Sequence, residues 1–219
     1  QFTLWRYVSK VDEEHICKNV FIGKTDVSGM TKEEAVKAVN NTLGDYRNKQ
    51  LVLKVKDQGA DVSIEEMGAE VENIDKLAEK AVGYGKNGSI WSRYQKIHNL
   101  DKKKYVIDES FKVDEAKLRE LIQERAVPLE QKAVNASASY NGSGFDLTDE
   151  AEGYTVDVDK SVKKIKNFMN KKWNYEDAEV ELKLDMEKPT IKKADLESLQ
   201  DELGSYTTKI GRASCRERV

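Results

Sequence analysis

The chain has 219 residues, enough for one large domain or two small ones, and 35% of them are charged. The 37 Lys and Arg residues nearly balance the 40 Asp and Glu residues, so the net charge at pH 7 is only −3. This balance argues against a basic nucleic-acid-binding protein, and the regular apolar patterns argue against disorder. No apolar run approaches the ~20 residues of a membrane-spanning helix. With two His and two Cys, we predict no metal site and no cofactor.

The sequence is interpreted as an internal fragment. Gln1 is not an initiator methionine, and residues 1–17 contain no signal peptide, so we expect a juxtamembrane or edge segment there. Residues 210–219 contain three Arg, against five in residues 1–209. They match the translation of a common sequencing adapter, so we interpret them as an artefact that is extended or disordered. Cys17 is then the only natural cysteine, which excludes an intramolecular disulfide.

A pattern of apolar residues at offsets 0, 5 and 8 recurs three times along the chain. In the first two copies an N-cap residue follows the first apolar position, Thr31 in one and Asp114 in the other, and Glu34 completes a capping box with Thr31. The pattern predicts that a helix starts in each copy. The copies begin at Met30, Val113 and Ile191.

Periodicity predicts the elements between these starts. Alternating apolar residues favour strands, and an apolar face recurring every three or four residues favours amphipathic helices. Residues 89–100 have no counterpart in the second copy and are interpreted as an insertion. In chain order we predict a helix at 31–39, strand 51–57, helix 74–85, strand 105–111, helix 114–122, strand 134–140, a hairpin turn at 141–144, helix 158–169 and strand 178–186.

The order of elements predicts an α+β fold made of two similar tandem domains. Each domain would be a small, mostly antiparallel sheet with helices on one face. We place the first predicted module at 18–104 and the second at 105–188, followed by a helical connector at 189–209.

Two phrases of the sequence resemble a known family. KNVFIGKTDVSGMTKEEAVKAV (18–39) is similar to the start of extracytoplasmic Gram-positive cell-wall proteins, where such a phrase follows a membrane anchor. LGSYTT (203–208) resembles the opening of the VanW domain. Residues 51–185 resemble tandem copies of the peptidoglycan-binding module of VanW-family proteins and of some L,D-transpeptidases. Gly23–Asp26 departs from the double-glycine phrase that is usual in these proteins, and only about six residues of the VanW domain are present.

This resemblance implies a non-catalytic, peptidoglycan-binding segment of a cell-surface protein. An N-terminal helix outside this fragment would anchor the protein in the membrane, and the tandem modules would reach the wall. The alternatives are a rigid spacer without a ligand, the N-terminal region of an L,D-transpeptidase, and a secreted inhibitor or adhesin. LGSYTT and the lack of a transpeptidase cysteine motif count against the enzyme.

The predicted ligand-binding site lies around the insertion. Aromatic side chains can stack on sugar rings, and cationic side chains can bind the carboxylates of stem peptides. Glycines at 83, 85 and 88 predict a loop. The alternative is that Trp91 and Tyr94 only pack the insertion against the first module. The predicted site residues are Tyr84, Trp91, Arg93, Tyr94 and Lys96.

Other chemistry-bearing groups give weaker signals. His15 and Cys17 would share one side of a strand, but no third orienting group is spaced nearby, so we interpret Cys17 as a linker thiol. Nothing in the sequence selects a buried carboxylate pair for glycoside hydrolysis. Residues 146–153 are acidic but lack EF-hand spacing. Tyr140 and Tyr154 flank the predicted hairpin and are interpreted as cross-strand partners.

Overall fold

A computed structural model of the chain describes residues 8, 9 and 11–200. These residues form helices and several small, mostly antiparallel sheets, which confirms the predicted α+β class. A π-helical turn (Ile122–Ala126) and a 3-10 turn (Val127–Leu129) follow α4, and residues 193–200 form the last described helix. The other helices are α1 (Lys32–Asp45), α2 (Ile74–Gly83), α3 (Ile90–Leu100), α4 (Glu115–Leu121) and α5 (Val158–Lys171).

The described strands form two three-stranded sheets and three two-stranded ones. The three-stranded sheets have the orders β2-β1-β6 and β11-β3-β4, and the pairs are β5–β7, β8–β9 and β10–β12. Two pairings among these strands are parallel, β1 with β6 and β11 with β3. The strands are β1 (Val20–Ile22), β2 (Thr25–Asp26), β3 (Gln50–Val55), β4 (Gln58–Ser63), β5 (Glu70–Val71), β6 (Tyr105–Ile107), β7 (Phe111–Lys112), β8 (Ser137–Tyr140), β9 (Phe145–Thr148), β10 (Gly153–Val156), β11 (Ala178–Glu181) and β12 (Leu184–Glu187).

The predicted helices begin where the sequence indicates, and α5 buries the predicted face. Thr31 caps α1 by accepting a hydrogen bond from the Glu34 amide at 3.3 Å, and the Glu34 carboxylate accepts from the Thr31 amide at 2.9 Å. This capping box satisfies two backbone donors that the first turn leaves without helical partners. On α5, Val162, Ile165 and Met169 are buried on one face, as their spacing predicts.

The hairpin of β8 and β9 is confirmed, but the predicted cross-strand pair of tyrosines is wrong. Residues 141–144 form the turn, and Gly142 adopts the left-handed φ of 97° that favours glycine. Tyr140 lies opposite Phe145 within the hairpin, whereas Tyr154 is in β10 opposite Met186. The tyrosines therefore belong to different sheets.

The predicted closing strand at 178–186 is divided into two strands that serve different sheets. β11 joins β3 in parallel, with Val180 opposite Leu53, whereas β12 joins β10 in antiparallel fashion. The alternation of apolar residues continues through both strands, but burial does not. Val180 and Leu182 are buried, while Met186 on β12 is exposed.

The division into two tandem modules is not confirmed. β3 belongs to the first predicted module and β11 to the second, yet the two strands pair in one sheet. β5 and β7 also pair across the predicted boundary between residues 104 and 105. A single cluster of buried residues extends from Ile16 to Leu182 and includes apolar side chains of both modules.

Two other expectations have clear outcomes within the described residues. The loop that the three glycines predicted around the insertion is wrong for residues 90–100, which form helix α3. In the part of the chain that the structure describes, no helix has the length and apolar character to cross a membrane. The predicted VanW phrase at 203–208 and the predicted artefact at 210–219 lie outside the described residues.

A fragment that ends at residue 104 is expected not to fold by itself. It lacks β6 and β11, which pair with β1 and β3, so buried side chains such as Leu53 would face water. Thermal unfolding of residues 18–104, followed by circular dichroism beside the full chain, tests this. A cooperative transition in the fragment would instead support an independent first module.

Candidate functional site

Helix α3 carries four of the five predicted site residues. Ser89 caps the helix, its hydroxyl accepting a hydrogen bond from the Ser92 amide at 3.3 Å. Ile97 and Leu100 are buried and fix one face of the helix on the core. Because successive residues turn by about 100°, the side chains opposite these two are left toward solvent.

The loop between α2 and α3 holds α3 close to the core. Gly85 has a left-handed φ of 79°, and a Cβ there would lie 3.0 Å from the Cγ1 of Ile97. The neighbouring Lys86 is buried, and its ammonium donates hydrogen bonds to the carbonyl oxygens of Glu13 at 2.9 Å and His15 at 2.6 Å. Both contacts fix the loop against the N-terminal segment.

Three aromatic side chains stack along one face of α3, and we call Trp91, Tyr94 and His98 the aromatic ladder. The rings of Trp91 and Tyr94 are 5.9 Å apart with an interplanar angle of 25°. The rings of Tyr94 and His98 are 5.6 Å apart and almost parallel, at 5°. Trp91 is 58% exposed, so it is not a core residue. The sequence prediction missed His98, although its helical spacing from Tyr94 could have identified it.

Tyr84 and Lys96 form a second group on the other side of α3. The Tyr84 ring stacks on Tyr105 with centroids 3.7 Å apart, so one face of Tyr84 is already covered. The Lys96 ammonium lies 6.0 Å from the Tyr84 centroid, the outer limit for a cation–π contact. Burial raises the pKa of the Tyr84 hydroxyl.

Arg93 is directed toward the N-terminal segment. Its guanidinium lies 3.8 Å from the Glu13 carboxylate, and its side chain is only 22% exposed. The Nε atom is buried and has no hydrogen-bond partner among the described residues. The structure therefore pairs Trp91 with Tyr94 and Lys96 with Tyr84, and it places Arg93 beside Glu13.

His15 and Cys17 have separate partners, which agrees with the interpretation of Cys17 as a linker thiol. His15 Nδ1 lies 2.8 Å from the carboxylate of Asp12, while the Cys17 thiol donates to the Tyr84 carbonyl at 3.4 Å. Burial raises the pKa of the Cys17 thiol, the opposite of what an activated nucleophile needs. No group of three or more metal-ligating side chains occurs among the described residues.

Glu109 is a partly buried acidic residue with one fully buried carboxylate oxygen. The Tyr175 hydroxyl donates a hydrogen bond to one of its carboxylate oxygens, and the other oxygen is buried without a partner among the described residues. Burial raises the pKa of Glu109, outweighing the hydrogen bonds from Tyr175 and the Lys24 backbone. Gly23 packs directly on this carboxylate, because a Cβ there would overlap it. The group is enclosed, which suits a structural role.

A family model matches residues 60–178, which is more than half of the chain, and it includes all of α3 and α5. The family is described as "Putative peptidoglycan binding domain". The chain belongs to this family. No curated protein and no solved structure matched the chain.

Family membership indicates a ligand class for the chain. The five predicted site residues lie within the matched range of 60–178. The family indicates peptidoglycan as the partner, the cell wall outside the cytoplasm as the location, and binding as the role. The match also spans residues of both predicted modules, so the tandem arrangement is not confirmed by it.

Trp91→Ala is expected to reduce the free energy of unfolding by less than about 1 kcal/mol, because the side chain is largely in water. Leu100→Ala on the same helix is the matched control, since Leu100 is 1% exposed and its truncation should cost roughly 2–5 kcal/mol. Urea unfolding of both variants measures the difference. If Trp91→Ala lowered the free energy of unfolding as much as Leu100→Ala does, Trp91 would be a core residue and the prediction would be contradicted.

Glu109 is expected to make stability fall as the pH rises. The pKa of Glu109 is raised in the folded state. Above the usual pKa of 4.5 the unfolded chain therefore loses this proton more readily than the folded chain, and the free energy of unfolding decreases. The loss begins near that pH and is complete above the raised folded-state pKa. Glu109→Gln removes this dependence, whereas Glu65→Gln at an exposed position leaves it intact. Urea unfolding between about pH 4 and pH 8 compares the slopes, and parallel curves for all three proteins would contradict the assignment.

Proposed function

We propose that this chain is the non-catalytic wall-binding segment of a membrane-anchored VanW-like protein, and that the aromatic ladder contacts the glycan of peptidoglycan. The observation that carries the proposal is the exposure of Trp91, whose ring is 58% open to solvent although Tyr94 stacks against it. A large aromatic ring that is fixed but uncovered is suited to stacking on a sugar.

The stacking order within the ladder supports a binding role. Tyr94 lies between Trp91 and His98, with ring separations of 5.9 and 5.6 Å, so each ring limits the rotation of the next. A ligand that stacks on Trp91 therefore has little side-chain entropy to overcome. Buried Ile97 and Leu100 keep the backbone of α3 in place beneath the ladder.

The cationic predicted residues have a secondary part in this proposal. The Lys96 ammonium makes a long cation–π contact with Tyr84 and no ion pair among the described residues, so it can still bind a stem-peptide carboxylate. Arg93 is held near Glu13 at 3.8 Å and contributes less. Tyr84 contributes a cation–π contact to Lys96 and does not offer a free ring for a sugar, because Tyr105 already stacks on the Tyr84 ring.

The placement in a VanW-like protein depends on sequence resemblance. LGSYTT at 203–208 supports a VanW domain downstream, and the phrase at 18–39 supports a preceding membrane anchor. In this arrangement the segment would hold the downstream domain at the wall. A spacer without a ligand and an L,D-transpeptidase remain the alternatives, and LGSYTT counts against the second.

Co-sedimentation of the full chain with purified sacculi tests the proposal. One ring stacked on a sugar is worth about 1 kcal/mol, so Trp91→Ala should raise the dissociation constant for sacculi roughly fivefold. Tyr140→Ala is the matched control, because Tyr140 is 67% exposed, lies within the family match and is not part of the ladder. Its retention should equal that of the unmodified chain.

Each other outcome has a defined meaning. If the unmodified chain does not sediment with sacculi, the spacer is supported and peptidoglycan binding is rejected. If the chain sediments but Trp91→Ala and Tyr140→Ala behave alike, the ladder is not the site. The stability of Trp91→Ala, measured separately, distinguishes lost binding from lost folding.

A further inference from the structure

The hairpin of β8 and β9 has almost all of its residues in contact with water. Seven of the eight residues in its two strands are exposed, and Leu147 is the exception. A hairpin of two strands is only marginally stable in water unless further strands or a packed face support it. Its exposed surface is therefore a candidate for contact with another molecule.

This hairpin has one apolar face and one polar face. In the register Tyr140 lies opposite Phe145, and because side chains alternate along a strand, Ala138 and Leu147 share the face of this pair. Ser139 is on the other face. The Tyr140 and Phe145 rings are 5.5 Å apart at an interplanar angle of 60°, yet Tyr140 is 67% exposed and Phe145 is 48% exposed. The two rings thus contact each other while most of the apolar face remains open.

The turn determines which backbone groups of β8 point out of the hairpin. The Asn141 amide donates to the Gly144 carbonyl oxygen at 2.9 Å, so these two residues form a hydrogen-bonded pair. Such pairs alternate with non-bonded pairs along an antiparallel ladder. The N–H and C=O groups of Ser139 therefore face β9, and those of Ala138 and Tyr140 face the opposite edge.

The outer edges of the two strands differ in what covers them. On β9, the Gln200 side chain donates to the outward Phe145 carbonyl oxygen at 3.4 Å. Just before β8, the Ala136 amide donates to the Ile191 carbonyl oxygen at 3.0 Å. The two outward-facing residues of β8 itself have no backbone partner beyond the hairpin among the described residues. We call their unpaired N–H and C=O groups the open edge of β8.

β8 lacks the charged side chains that protect other edge strands from pairing. Natural sheets use charges to discourage contact between edges. β11 is an edge strand that carries Glu179 and Glu181, and antiparallel self-pairing around Val180 would set these like charges opposite each other. The sequence of β8 is Ser-Ala-Ser-Tyr, without a charge. Charge repulsion therefore does not oppose a second β8 strand at the open edge.

We propose that a second copy of this chain pairs with the open edge of β8 in antiparallel fashion, about a twofold axis at Ser139. In this register Ala138 of one copy is opposite Tyr140 of the other, so every N–H and C=O group of the two open edges has a partner. The Tyr140 ring meets the small Ala138 side chain on the apolar face, and Ser139 meets its own copy on the polar face. The two hairpins then form one sheet with a continuous apolar face.

The self-complementarity of β8 selects a second copy as the occupant. The twofold arrangement sets a large side chain against a small one and an uncharged edge against an uncharged edge, with no residue required beyond those of β8 itself. This contact does not involve the ladder and does not depend on glycan binding. Because the paired segment is short, association should require high protein concentration. At the low concentration of a sacculus assay the chain is then a single copy, and Tyr140→Ala remains a valid control there.

Sedimentation equilibrium of the full chain, from about 1 μM to about 1 mM, tests the proposal. The weight-average mass should rise from the 24.9 kDa of one chain toward twice that value. Ser139→Lys places two ammonium groups opposite each other on the twofold axis and should weaken association roughly fivefold. Thr155→Lys is the matched control, because it adds the same charge at an exposed position of β10 and should leave association unchanged.

A charge exchange at position 139 identifies the partner. Ser139→Asp should also associate poorly by itself, since two carboxylates would meet on the axis. An equimolar mixture of Ser139→Lys and Ser139→Asp should associate again, because opposite charges then face each other. Damage to the hairpin would not be reversed by mixing, so this recovery requires residue 139 of one copy to lie opposite residue 139 of another.

Three results would overturn the proposal. The first is a mass that stays at one copy over the whole concentration range. The second is an equal effect of Ser139→Lys and Thr155→Lys, which would indicate net charge alone. The third is a mixture that associates no better than either charged variant of Ser139, which would exclude the twofold axis at this residue. None of these measurements includes sacculi, so failure of this proposal and failure of the proposed function are distinguishable.

Discussion

The parallel pairing of β11 with β3 is the contact on which the rest of the fold depends. It joins strands more than 120 residues apart, with Val180 opposite Leu53 and Ala178 opposite Leu51. β3 is thereby covered on both edges, by β4 and by β11, and Leu51, Leu53 and Val55 are fully buried. Burial of β3 therefore depends on strands from distant parts of the chain, β4 on one edge and β11 on the other.

The same closure determines which faces of α5 and α3 meet solvent. α5 leads directly toward β11, so its apolar face, with Ile165 and Met169, packs into the shared core and its lysines are left outside. α3 precedes β6, the strand that pairs with β1, and Leu100 at its end joins the same core. Each helix therefore exposes the face opposite the one that packs into this single cluster of side chains.

Capping residues and apolar spacing in the sequence predicted most helices and strands, but they could not predict which distant strands pair. The contact between Thr31 and Glu34 and the alternation of Leu51, Leu53 and Val55 depend on neighbours within a few residues, so both could be predicted. The alternation at 178–186 predicts a strand but does not specify its partner, and the real chain divides it between two sheets. The two similar halves therefore suggested two domains, whereas the pairing of strands crosses between them.

In the candidate site, residue types were easier to predict than their arrangement. Trp91 and Tyr94 do lie together, but the three glycines suggested a loop, although Ser89 caps a helix and Ile97 and Leu100 bury one face of it. On a helix, residues three and four apart share a face, so His98 joins the aromatic side and Arg93 turns toward Glu13. Aromatic and cationic groups that looked like one mixed site in the sequence are therefore segregated by the helix. Trp91 presents an exposed ring at the start of the ladder, which suits stacking on a sugar ring, whereas the Lys96 ammonium lies beside Tyr84.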